Sequence, residues 1–207
     1  MLVFPDVRGL HDFYRELALR FAEQGHAALV VDYYGRSAGP ESRASGIGFA
    51  DAGFDFMAHA SKLSSTELEA DFGTALNFLR EQAAPTSTFT IGFCMGGRQS
   101  YLSSARGENL NGCMGFYGSL GLRNGVNVLE TVPLMRSPIL AMQAGSDTDP
   151  DNFPNAAFDA ALTDAGIAHE VIVYDAPHSF FDVNFAEYAE VCADAWAKIK
   201  AFIATYS

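Results

Sequence analysis

Short apolar runs rich in β-branched residues alternate along the chain with longer stretches whose apolar positions recur every three or four residues. That alternation predicts strands separated by helices. Residues 1–5 read as a strand. Residues 12–24 read as a helix, with Phe13, Leu17 and Phe21 on one face and Gly25 as its stop. Residues 27–33 form a strongly apolar strand. Residues 34–63 are Gly- and Ser-rich with weak periodicity, the pattern of a long loop or small cap segment, and such loops usually carry function. Next comes a helix over 65–82, which Ser65 could cap and which has Leu68, Phe72, Leu76 and Leu79 as its stripe. Strands follow at 86–93, 112–117, 138–144 and 169–174, and helices at 96–106, 153–165 and 183–206.

The expected fold class is α/β: a mostly parallel sheet of about six strands with helices on both faces. The chain reads as one domain over 1–207, with 34–64 as the loop or cap. In such sheets ligands bind outside the carboxyl ends of the strands, so the residues that follow each strand are the ones to inspect. Composition narrows the partners. Thirteen Lys and Arg face 25 Asp and Glu, a formal net charge of −12. That charge disfavours nucleic acid and anionic membrane surfaces. No apolar run approaches the roughly 18 residues of a membrane span, and no secretory leader is visible. Cys94, Cys113 and Cys192 show neither disulfide nor metal spacing, which fits a reducing, cytoplasmic setting.

The sharpest local signal is Gly92-Phe93-Cys94-Met95-Gly96-Gly97. A nucleophile on a tight strand-to-helix turn needs small residues two positions before and after it, because larger side chains would collide. There the sulfur meets the free N–H groups and positive dipole end of a helix. The plain alternative is a buried cysteine in a glycine-rich turn. Of five histidines, His178 alone follows a strand and precedes the last helix, where it could instead be a loop residue beside that helix. Asp147 follows the 138–144 strand, and Asp149 is the second choice; either could be a simple turn aspartate. Nucleophile, acid and histidine then stand in the chain order of an α/β-hydrolase triad.

With these residues the chain resembles the dienelactone hydrolase family of α/β-hydrolases. The likeness rests on the Phe-Pro-Asp-Val-Arg-Gly opening, the Cys94 elbow, Gly115-Phe116-Tyr117-Gly118, Gly145-Ser146-Asp147 and Pro177-His178-Ser179-Phe180. The resemblance implies Cys94 as nucleophile, His178 as base and Asp147 as its orienting acid. It implies an oxyanion hole from the N–H groups of Met95 and Val7. It implies pocket positions at Tyr117 and Ser179. Asp6 stands where the family carries a carboxylate, usually Glu, that pairs with the resting thiol. Three departures stand out. Family members usually begin with an extra strand or hairpin before the strand that here starts at Met1, so those N-terminal strands are expected to be missing. Asp182 stands where dienelactone-cleaving members have a substrate-binding arginine, and the long loop shows no counterpart of their other clamp arginine, so that Arg8, Arg36, Arg43 and Arg98 are candidate substitutes or plain surface residues.

The expected activity is hydrolysis of an ester, lactone or thioester of a small carboxylic acid, through a thioacyl-enzyme. No metal or organic cofactor is called for by any motif, and the expected partner is a small-molecule substrate. Two rivals remain. One is a cysteine-elbow enzyme of the DJ-1 or amidotransferase kind, although Met95 rather than histidine follows the cysteine. The other is a non-catalytic ligand-binding or scaffold protein on the same fold. Phe49, Phe54, Phe56 and Met57 are candidate apolar walls of the pocket, or packing of the long segment onto the core.

Overall fold

The computed structural model describes residues 1–39, 54–106 and 109–207. Phe49 and Arg43 lie outside the described residues. Six strands form one parallel sheet in the order β2-β1-β3-β4-β7-β8. They are β1 (Leu2–Phe4), β2 (Leu29–Val30), β3 (Phe89–Phe93), β4 (Gly112–Phe116), β7 (Ile139–Ala144) and β8 (His169–Tyr174). A separate antiparallel pair, β5 (Leu122–Arg123) and β6 (Val126–Asn127), lies between β4 and β7 in the chain.

The two-residue period of a strand divides the core between the sheet's faces. Val3, Ile91, Phe93, Met114, Phe116, Leu140 and Met142 pack with helices α1 (Asp12–Glu23) and α8 (Ala189–Tyr206). Leu2, Phe4, Cys113, Ile139 and Ala141 pack on the other side with α4 (Ser65–Ala83), α5 (Met95–Ser103) and α7 (Asn155–Asp164). The described residues also form short helices α2 (Gly35–Ala38), α3 (Phe56–Ala60) and α6 (Val128–Thr131), with a 3₁₀ turn over Val132–Leu134.

The differences from the pattern-based expectation are local. The 27–33 strand shrinks to the two residues of β2, because the chain turns inward straight after it. Tyr33 donates its hydroxyl to the Pro5 carbonyl (3.1 Å) and Tyr34 to that of Val7 (2.5 Å). The sheet edge left for pairing is therefore very short. The 65–82 helix is capped by Ser64, not Ser65. Ser64 Oγ accepts the Glu67 N–H (3.2 Å), and the Glu67 carboxylate accepts the Ser64 N–H (2.9 Å), a reciprocal capping box. The last helix begins at Ala189 rather than 183, since the N–H groups of Asp182 and Asn184 both turn back to the Ser179 carbonyl. The β5–β6 hairpin was not anticipated. Its signal is Asn124-Gly125, both at positive φ (51° and 76°), the residues that a two-residue primed turn selects.

Candidate active site

Cys94, Asp147 and His178 each follow a strand, at the carboxyl end of the sheet, and the backbone explains how they are held. Cys94 links β3 directly to α5 at φ 53°, ψ −113°, in the positive-φ region that a residue with a Cβ rarely occupies. Its N–H donates to the Phe116 carbonyl (3.0 Å) and its carbonyl accepts from the Arg98 N–H (3.2 Å). The glycines around it are spatial requirements. A Cβ on Gly92 would lie 2.0 Å from the Gly96 carbonyl oxygen, one on Gly96 2.1 Å from that of Phe4, and one on Gly97 2.6 Å from that of Phe116.

His178 sits in the turn after β8 with its ring 4.7 Å from that of Tyr117. Its Nδ1 bonds Asp147 Oδ2 at 2.7 Å, leaving Nε2 for the Cys94 sulfur, with which the ring also interacts. Burial works against charge on the imidazole. The hydrogen bonds to Asp147 and Cys94 outweigh it and raise the His178 pKa to about 10. The loops that carry the acid and the histidine are joined by the Ser146 N–H donating to the Ala176 carbonyl (3.2 Å). Asp149, the second choice as acid, is occupied by Asn152 and by the Asp151 N–H, within its own turn.

Cys94, His178, Val7, Met95 and Tyr117 share the wall of one cavity of about 710 Å³. Met95 is the first residue of α5, so its N–H has no partner within the helix. Val7 lies in the turn after β1, where the Gly9 N–H donates to the Asp6 carbonyl (3.0 Å) and the Tyr34 hydroxyl holds the Val7 carbonyl.

Other candidates are placed differently from expectation. Asp6 is engaged by Arg8, Tyr14 and His11, and the Cys94 sulfur is not among the groups that bond it. Arg8 Nε meets its Oδ1 (2.8 Å), the Tyr14 hydroxyl its Oδ2 (2.7 Å), and His11 Nε2 lies 3.6 Å from Oδ2. Burial opposes this carboxylate, but hydrogen bonds from Arg8, His11 and Tyr14 hold its pKa well below the usual range. The one methylene that Asp lacks relative to Glu keeps the group at its own turn. Arg8 spans two buried carboxylates, Asp6 and Asp182, and Asp182 also accepts the Tyr117 hydroxyl (3.0 Å). Arg98 lines the cavity, but its guanidinium donates to the carbonyls of Ser119 (3.0 Å), Gly121 (2.8 Å) and Val126 (2.6 Å) and so holds the β5–β6 hairpin. Burial, then the neighbouring Arg123, lower its pKa to about 10. Arg36 pairs with Asp71 on α4. Ser179, at φ 63°, shapes the turn through its carbonyl and is not on the cavity wall. Phe54 and Phe56 pack against the core, and Met57 is on the wall.

Among the described residues no group of three or more His, Cys, Asp or Glu side chains is arranged to hold a metal ion, and no helix is long and apolar enough to cross a membrane.

Comparison with known proteins gives a consistent picture. The dienelactone hydrolase family model matches residues 1–207. A Salmonella typhi protein named "Putative carboxymethylenebutenolidase" is 25% identical over 213 aligned residues, covering 100% of this chain and 77% of its own. A Methylorubrum extorquens protein of the same name is 26% identical, with 100% and 72% covered. Among solved structures, a Klebsiella pneumoniae protein described as a "Putative Dienelactone Hydrolase" superposes with a TM-score of 0.82 at 24% identity, covering 99% of this chain and 86% of that one. The chain is shorter than these solved neighbours.

Proposed function

Because the chain belongs to the dienelactone hydrolase family of carboxylic ester hydrolases, we propose that it hydrolyses a small-molecule ester, lactone or thioester through Cys94, His178 and Asp147. The observation that carries this reading is the placement of the Cys94 sulfur on a strained strand-to-helix turn. There it meets a histidine whose far nitrogen is fixed by Asp147 at 2.7 Å, and both face one cavity.

In this reading His178 Nε2 takes the thiol proton and Sγ adds to the substrate carbonyl carbon. The carbonyl electron pair moves to oxygen, where the N–H groups of Met95 and Val7 receive it. Each such donor is worth about 3–4 kcal/mol of barrier in well-studied hydrolases. The carbon–oxygen bond then breaks, and the imidazolium gives its proton to the leaving alcohol. Water, losing a proton to His178, attacks the thioester and releases the acid. The sulfur leaves and regains its proton. Asp147 keeps the Nδ1 proton in place throughout.

Competitive alkylation tests the assignment. Burial pushes the thiols of Cys113 and Cys192 up to about 12 and about 11, and both are shut from solvent. Iodoacetamide near neutral pH should therefore label Cys94 first, and p-nitrophenyl acetate turnover should fall in step with labelling. A Cys94→Ala protein of unchanged fold that still turns over the ester would refute the mechanism. Equal, slow labelling of all three cysteines would favour the scaffold reading.

A further inference from the structure

The cavity is far larger than the attack site requires, and it has a direction. The wall residues contributed by α5 and the turn after it are Met95, Arg98, Gln99, Leu102, Ala105 and Arg106. They are spaced as one face of a helix, so the cavity runs along α5 from its amino end, where Cys94 stands, past its carboxyl end. At the helical rise, the eleven steps from Met95 to Arg106 span about 16 Å. Met57 and Ala60 of α3, Leu68 of α4 and Leu134 add apolar surface to the wall. Met57 and Leu134 are large apolar side chains left 57% and 58% exposed, and both face this one cleft.

Of the four Arg and Glu residues on the wall, Arg98, Arg106 and Glu69 are engaged with protein groups, and Arg123 stands exposed on the β5–β6 hairpin. Arg98 is spent on carbonyls of the hairpin. Arg106 donates to Gln99 Oε1 (2.9 Å), pairs with Glu69 at 3.6 Å and lies over the Phe72 ring, and its Nη1 is buried without a hydrogen-bond partner.

We propose that this cleft is an acyl-chain site and that the substrates are neutral esters of unbranched acids of about eight to ten carbons. An extended chain advances about 1.25 Å per carbon–carbon bond, so eight to ten carbons take up about 9–11 Å and lie within a run of about 16 Å. The chain is the acyl half because the leaving oxygen must face His178 to receive its proton, while the cleft leads from the sulfur along the helix that bears it. Leu102 and Leu68 line its middle; Ala105 and Leu134 line the far part. The inference rests on the hydrolase reading above and adds the substrate class to it.

The test is a series of p-nitrophenyl esters from acetate to dodecanoate. Each methylene buried in the cleft is expected to raise kcat/KM by about threefold to fourfold, so the rise from butanoate to octanoate should be about 80-fold or more, with a fall beyond the cleft's length. Leu102→Trp should shorten the preferred chain and lower the octanoate-to-acetate ratio at least tenfold. Ala105→Trp, at a half-buried position, should cut only the longest chains, and it reads the same wall if Leu102→Trp does not fold. A second readout is protection of wild-type Cys94 from iodoacetamide by decanoate but not by acetate. Acetate turnover with a flat or falling series would overturn the acyl-chain site and leave the hydrolase reading standing. Turnover of no ester, with Cys94 no more reactive than Cys113, would overturn both.

Discussion

At Gly96 the site is constrained backbone against backbone, and this makes the most demanding prediction. An added Cβ there would lie 2.1 Å from the Phe4 carbonyl oxygen and 2.4 Å from that of Pro5, whereas real Cβ atoms essentially never come within 3.0 Å of another heavy atom. Neither obstacle is a side chain that could swing aside. Gly96→Ala must therefore separate the start of α5 from the end of β1 by nearly 1 Å. Overpacking of that kind costs about 1–3 kcal/mol. For a chain of this size each kcal/mol lowers Tm by about 2–4 °C. The functional cost should be larger than the stability cost. The atoms pushed apart carry the two proposed oxyanion donors, Met95 on the helix side and Val7 on the β1 side. A displacement of about 1 Å at reacting groups can cost about 10²-fold in rate. The assay is kcat/KM for a short p-nitrophenyl ester alongside thermal melting. Gly73→Ala is the control: Gly73 lies within α4, and a Cβ there meets nothing within 4 Å. It should stabilise the protein by about 0.5–1 kcal/mol and leave the rate alone. If Gly96→Ala keeps its rate within about threefold and its Tm within about 1 °C, the close approach of β1 to α5 is not what builds the site.

Asp147→Asn removes a partner that raises the His178 pKa, so the alkaline limb of kcat/KM, placed near pH 10 by the wild-type imidazolium, should move to lower pH while the plateau falls by about 10²- to 10⁴-fold. An unmoved limb would assign it to another group. Asp6 has a folded-state pKa depressed below its unfolded value, so its contribution to stability is complete above about pH 4 and is lost as pH falls. Urea unfolding should show stability dropping as pH falls below about 4, and Asp6→Asn should lower stability at pH 7 and flatten that drop; an unchanged slope would mean that other carboxylates carry it.

Much of the architecture was legible because strand and helix periods differ and because both faces of the sheet are buried. Runs such as 138–144 and 112–117 had to be strands. The elbow was legible for a steric reason: glycines at 92 and 96 bracket a nucleophile only where chains approach this closely. What stayed hidden depends on groups far apart in sequence. Tyr33 and Tyr34 cut β2 short by bonding the turn at Pro5 and Val7, and nothing in an apolar run announces that. Arg98 looked like an available cation, and only the return of the hairpin across α5 shows its donors spent on carbonyls. Asn124-Gly125 was a readable hairpin signal that lies in a stretch without strong strands on either side. The Ser64 cap could also have been found, because Ser64 and Glu67 have the capping-box spacing.

The arrangement of Asp6, Arg8 and Asp182 shows how a charged cluster can serve a site without touching the reacting atoms. Arg8 is one residue from Val7, and Asp182 is four residues from His178. The buried Arg8–Asp182 pair therefore ties the turn bearing a proposed oxyanion donor to the turn bearing the proposed base. Those turns follow β1 and β8, which are separated in the sheet by β3, β4 and β7. Among the described residues no strand pairing joins them directly. Asp182 also holds the hydroxyl of Tyr117, whose ring packs against His178. Two carboxylates on one guanidinium would leave an excess negative charge in the interior. The hydroxyls of Tyr14 and Tyr117 offset part of it by donating to Asp6 and Asp182 respectively. An arginine at position 182 would face Arg8 instead of pairing with it. The aspartate and Arg8 thus belong together as one unit.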